Sequence, residues 1–195
     1  SNMQLGWRQH EGQPTGGNFS AQRLDLGLIA QVASRLPLGN AVRRLLGELN
    51  PQGIVSDLST HWNGTLDAPS TYQVKGVLSG LSLAAKPSEV AHGLGRPGLR
   101  NATLTLNATE HGGTAQLGIS GGSIELPGVF DEAAVPLDQL NAQLLWHVDP
   151  STVAGAAPKL SVAVKDAKFS NADAQAQVNV NWTTGADDGA AQSGR

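Results

Sequence analysis

Apolar residues recur at every second position through most of the chain. Ala174, Ala176, Val178, Val180 and Trp182 alternate with Gln175, Gln177, Asn179 and Asn181, giving one apolar face and one ladder of amides. The same period marks Ala102-Leu104-Leu106-Ala108, Ala115-Leu117-Ile119, Leu140-Ala142-Leu144-Trp146-Val148 and Leu160-Val162-Val164. Glu110-His111-Gly112-Gly113 joins two of these runs and Ser120-Gly121-Gly122 ends one, which is the punctuation of hairpins. An antiparallel meander is therefore expected. Between Tyr72 and Leu83 the apolar set changes parity, from Tyr72-Val74 to Val77-Leu81-Leu83, and Gly76 and Gly80 stand where a bulge absorbs the slip.

Helical spacing interrupts this period in one region. Leu28, Ile29, Val32 and Leu36 follow Asp25, an N-cap residue, and Pro37 ends that helix. Val42, Leu45, Leu46 and Leu49 follow Asn40, and Asn50-Pro51 with Gly53 stop the second helix. The apolar stripes of this hairpin, at about residues 26–49, need a partner, and the sheet's apolar face is the available one. The expected fold is mainly β: a curved, mostly antiparallel meander sheet, an open groove or partial barrel, with an embedded helical hairpin packed on it.

Residues 3–182 read as one β-rich unit whose ends look cut from something longer. Ser1-Asn2 reads as a cloning remnant, and 183–195 as a flexible polar tail, being small, polar and non-periodic. Thirteen basic against 16 acidic residues give a net charge of −3, which removes the basic footprint of a nucleic-acid binder. The charge is uneven, with 9 basic and 6 acidic groups in residues 1–100 and 4 and 10 in the remainder. Arg35, Arg43 and Arg44 could meet lipid phosphates, but nothing strongly amphipathic and basic accompanies them, and they read as a solvated helix surface. The absence of Cys excludes thiolate metal sites, thiol catalysis and disulfides. No apolar run approaches the ~18 residues of a spanning helix.

Two segments imitate catalytic motifs. Gly93-Leu94-Gly95-Arg96-Pro97-Gly98 matches G-x-G-x-x-G, but a β-alternating run follows where a dinucleotide site needs a helix N-terminus. Gly118-Ile119-Ser120-Gly121-Gly122 matches G-x-S-x-G, with Asp131 or Asp138 and His147 following in hydrolase order; Ser123-Ile124-Glu125-Leu126 is extended, however, where the elbow needs a helix. No enzyme is expected. His10, His61, His92, His111 and His147 show no ligand spacing, so neither a metal nor another cofactor is expected. Glu125, Asp131, Glu132 and Asp138 read as solvated loop carboxylates, and the sequons at Asn18, Asn63, Asn101 and Asn107 as matches by chance. Trp7, Trp62, Trp146 and Trp182 lie in strand-like runs, as buried rings or as a ligand platform.

Taken in order, the landmarks resemble a family. Leu24-Asp25-Leu26, Leu36-Pro37-Leu38, Leu49-Asn50-Pro51-Gln52-Gly53 and Trp62-Asn63-Gly64 are followed by Pro97-Gly98-Leu99-Arg100-Asn101, Leu126-Pro127-Gly128-Val129-Phe130, Pro136-Leu137-Asp138 and the Trp146 strand. From about Leu5 to Trp182 this series is similar to the interior of YhdP-like proteins, AsmA-like and TamB-related envelope proteins of Gram-negative bacteria. The resemblance implies a periplasmic segment of a parent anchored in the inner membrane by an N-terminal helix outside this stretch. It also implies a part in phospholipid transport between the two membranes and in outer-membrane homeostasis. No catalytic residue is carried over by it.

On that reading Leu104, Leu106, Leu117, Ile119, Leu144, Trp146, Val178 and Val180 project to a common concave side and meet phospholipid acyl chains. Neighbouring segments of the parent protein are the other expected partners, with further envelope proteins possible. Two arrangements fit the pattern: an open groove, or a core closed by a second layer. Two functions correspond to them: a conduit segment, or an envelope interaction scaffold that never touches lipid.

Overall fold

Each period-two run is a strand, and each strand pairs antiparallel with the next. The computed structural model describes residues 2–11, 13–32, 40–65, 68–88, 95–128, 134–150 and 158–183. The strands are β1 (Met3–His10), β2 (Gln13–Asp25), β3 (Gln52–Gly64), β4 (Pro69–Leu83), β5 (Gly98–Thr109), β6 (Gly112–Glu125), β7 (Val135–Asp149), β8 (Lys159–Ser170) and β9 (Gln175–Thr183). They form one sheet in sequence order, β1 to β9, not closed into a barrel. Strand β9 takes in Thr183, one residue beyond the expected boundary of the tail.

Directly opposed residues of neighbouring strands share a face, so the register sorts the side chains. One line crosses all nine strands through Leu5, Phe19, Thr60, Val74, Ala108, Gly113, Trp146, Val162 and Trp182. The adjacent line lies on the other face, through Gln4, Ser20, Ser59, Lys75, Asn107, Thr114, Leu145, Ala163 and Asn181. One face is thus apolar and the other mostly amide and hydroxyl.

Bulges bend five strands. Asp57, Gly80, Asn101, Gly121 and Asp166 take left-handed φ values of 52°, 61°, 57°, 60° and 50° inside β3, β4, β5, β6 and β8. The register slips beside Asp57, Gly80, Asn101 and Asp166, and such extra residues bend the strand and increase its twist. Gly80 is the expected slip point of β4. Gly76 is not: it stays in register opposite Leu106, and Leu78 rather than Val77 continues the apolar parity. Val77 pairs with Ser56 and Thr105 on the polar side. Ser120-Gly121-Gly122 is likewise no strand end, because β6 runs through it and the left-handed Gly121 is absorbed as a bulge.

Helices α1 (Leu26–Val32) and α2 (Asn40–Leu49) stand between β2 and β3. Asp25 caps α1, its Oδ1 accepting the Leu28 N–H at 3.1 Å. Asn50, at φ 42°, ends α2 and donates its N–H to Leu46 O at 3.1 Å. The expected end of α1 at Leu36-Pro37 lies outside the described residues. The end of α2 is tied to the segments that flank β4 and β5: Ala84 N–H reaches Leu49 O at 3.0 Å, and the Arg96 guanidinium bonds Glu48 O and pairs with its carboxylate at 3.5 Å.

The hairpin thus sits at one end of the strands. Helix α1 packs on β2 and β3, and Leu26 joins the main core of Leu81, Ala102, Ile119 and Leu137. Leu78, Leu83, Leu99, Leu104, Leu117, Ile124, Val135, Leu140 and Phe169 surround that core. Among the described residues no large side chain is fully buried and no second sheet covers the apolar face. At the far edge Val178, Val180 and Trp182 remain 42%, 47% and 49% exposed.

Candidate functional site: an uncovered apolar sheet face

The register brings all eight residues singled out in the sequence to one face. Leu104 opposes Leu117, with Leu78 on the other side of Leu104. Leu106, Ala115, Leu144, Val164 and Val180 form the next line, and Trp146 stands in the line beyond it. Ile119 opposes Ala102 and Leu140, and Val178 opposes Ala167. They differ in surroundings. Ile119 is packed core at 3% exposure, Leu104, Leu106, Leu117, Leu144 and Trp146 are half-buried, and Val178 and Val180 are open.

The Trp and Tyr rings gather at one end of the face. Trp7, Gly17, Trp62 and Tyr72 are successive cross-strand partners, one line outward from Trp146 and Trp182. All four Trp and the single Tyr of the chain therefore lie on the apolar face at the end opposite the helices. Glycine makes room for two of the rings. A Cβ on Gly17 would stand 2.5 Å from Cζ2 of Trp62, and one on Gly113 would stand 2.5 Å from Cζ2 of Trp146. Trp7 packs edge-on against Trp62, with ring centroids 5.6 Å apart at 83°. The Trp62 Nε1–H is buried and meets no acceptor among the described residues. The sequence placed these rings in strands one by one; their alignment depends on cross-strand register, and the pairs Gly16-Gly17 in β2 and Gly112-Gly113 in β6, whose second glycines face Trp, were the available signal.

Polar groups collect at the hairpin turns beyond the rings. Glu110 Oε2 accepts the Tyr72 N–H at 2.9 Å, and His111 Nε2 lies 3.3 Å from Oε1. The Tyr72 and Glu110 backbone donors, assisted by His111, hold the Glu110 carboxyl below its ordinary range. Arg8 donates to Asn63 Oδ1 at 2.6 Å and to Trp62 O at 3.2 Å. On the polar face a shallow depression of about 360 Å³ is lined by Gln73, Asn107, Thr109, His111, Thr114 and His147, with no carboxylate among its walls.

The motif look-alikes resolve into sheet. Ser120 opposes Gln139 while His147 opposes Gly112, eight positions away on β6, or about 26 Å along the strand at ~3.3 Å per residue. Asp138 is an exposed β7 residue, and Asp131, Glu132, His92 and Arg35 lie outside the described residues. Gly98 opens strand β5 rather than a helix. Among the described residues no group of three or more His, Cys, Asp or Glu could hold a metal ion, and no helix is long and apolar enough to cross a membrane.

With this geometry in view, comparison with known proteins is decisive on family. Residues 1–193 match the family described as YhdP protein. The chain belongs to the YhdP family. Membership points to an envelope protein of the AsmA-like type. No curated protein and no solved structure matched the chain.

Proposed function

We propose that this chain is a segment of a bridge-like periplasmic protein, carried by a parent anchored in the inner membrane, and that phospholipid acyl chains pass along its apolar face. The observation that carries the reading is the uncovered face itself: apolar partners continue across nine strands without a second layer over them among the described residues. Contiguous apolar surface of this extent on a soluble protein marks a binding surface. Acyl chains suit it because each methylene removed from water is worth about 0.8 kcal/mol without demanding directional contacts.

Native mass spectrometry of the purified chain tests for retained phospholipid. In the full-length protein, photocrosslinkers at Leu144 and Val178 are expected to capture phospholipid in living cells, and Leu144→Asp and Val178→Asp to impair transport more than folding. Capture of protein alone at both positions would favour an interaction scaffold. No capture of any kind, with substitutions that simply unfold the sheet, would make these side chains ordinary core.

A further inference from the structure

The two ends of the apolar face differ in chemistry. At the helix end it is closed and mostly aliphatic: Leu81, Ala102, Ile119 and Leu137 are buried, with Leu26 and a single ring, Phe169, packed on them. At the other end it is aromatic and open, with Trp7, Tyr72 and Trp182 at 47%, 37% and 49% exposure. Trp and Tyr combine a large apolar body with a polar N–H or O–H, and they concentrate where hydrocarbon meets a wet polar layer. Just beyond the rings the turn between β5 and β6 supplies Glu110 and His111. The floor between the two ends is long enough for acyl chains: Trp146 and Leu140 are six positions apart on β7, about 20 Å at ~3.3 Å per residue. One leaflet's share of the ~30 Å hydrocarbon core of a bilayer is about 15 Å.

We infer that lipid lies on this face in one orientation, with its glycerol and headgroup at the Trp7–Trp62–Tyr72–Trp146–Trp182 end and its acyl chains directed along the strands toward Ile119 and Leu81. The inference rests on the lipid reading above and adds to it a polarity across the face. The buried, unpartnered Trp62 Nε1–H is a donor at the level where the ester and phosphate oxygens would sit.

Because every Trp of the chain lies in this belt, its intrinsic fluorescence reports from the belt alone, and no substitution is needed. The chain is loaded with phosphatidylethanolamine bearing a nitroxide quencher on the headgroup, near the carboxyl end of one acyl chain, or at its methyl end. Retained lipid is quantified in parallel by native mass spectrometry. Quenching that is strong from the headgroup and carboxyl-end labels and falls away at the methyl end is the expected result. Equal quenching by all three, strongest quenching from the methyl end, or retained lipid with no quenching would overturn the orientation while leaving lipid binding in place. No retained lipid and no quenching would overturn both.

Discussion

The indole of Trp62 fills the space in front of Gly17, its cross-strand partner, and four strands further on Trp146 does the same in front of Gly113. A ring laid over a glycine covers backbone that would otherwise face solvent, and it fixes the register of the pair. Alanine at either glycine would meet the ring and, in addition, a backbone oxygen of the neighbouring strand, Gly6 O or Asn107 O. Gly17→Ala and Gly113→Ala are each expected to cost about 1–3 kcal/mol by overpacking. Gly118→Ala is the control, since its Cβ would find only Asn141 Oδ1, at 3.7 Å. Urea midpoints compared across the three variants check the difference.

The apolar face is uneven in how tightly it packs, and charge placed on it should report this. Ile119→Asp puts a carboxylate into the packed core and is expected to cost several kcal/mol or abolish folding. Val180→Asp, on the open edge strand, is expected to change stability by less than about 1 kcal/mol. Similar large losses at both positions, read from equilibrium unfolding, would mean that β9 is covered in solution.

Most of the sheet was legible in the sequence because a one-sided strand writes its face as strict alternation. Val178, Val180 and Trp182 in β9, and Leu140 to Val148 in β7, were placed correctly by that period alone. The start of α1 and the end of α2 were equally plain, since Asp25 and Asn50 act through local chemistry. The errors lie at bulges. Gly76 and Gly80 look alike as letters, yet only Gly80 takes the left-handed turn that resets the parity, and Ser120-Gly121-Gly122 carries turn residues inside an unbroken strand. The aromatic belt escaped notice for a related reason. Its members are far apart in sequence, and register alone aligns them.

The crease residues give a backbone test. Gly121 has φ 60° with nothing within 4 Å of an added Cβ, so its constraint is conformational and not steric crowding. Gly121→Val is expected to cost more than the roughly 1–2 kcal/mol of an ordinary left-handed residue, while Gly121→Asn is better tolerated. At Asn101, Nδ2 also donates to Ser120 O at 3.1 Å and to Gly121 O at 3.3 Å. Asn101→Gly therefore relieves the backbone but loses these bonds, and is expected to be destabilising by about 0.5–1.5 kcal/mol. Thermal unfolding of the three variants checks the order.

Glu110 makes the acid stability of the chain partly a property of one turn. Its carboxyl is held below the ordinary range, first by the Tyr72 N–H, so the folded state binds this proton less readily than the unfolded chain. The stabilisation is complete above the ordinary glutamate range and is lost as pH falls through the lower folded value. Glu110→Gln should leave a shallower loss of stability on acidification than the wild type shows, with the two curves converging at the acid limit. Urea midpoints measured across a pH series provide the comparison.

Nine is an odd number, and this governs how the sheet can be extended. With strict antiparallel order β1 and β9 point the same way, so both run from the helix end to the aromatic end. Translating a copy along the row would set β9 beside a β1 of identical direction, a parallel seam in an otherwise antiparallel fabric. Turning the copy half a revolution about the sheet normal keeps the apolar surfaces level and sets β9 against β9 in the antiparallel sense. The apolar surface and the hydrogen-bond pattern can thus both continue past this edge only by a two-fold rotation, or onto a different strand that runs from the aromatic end back to the helix end. Strand β9, from Gln175 to Thr183, carries neither charge nor proline to discourage that junction.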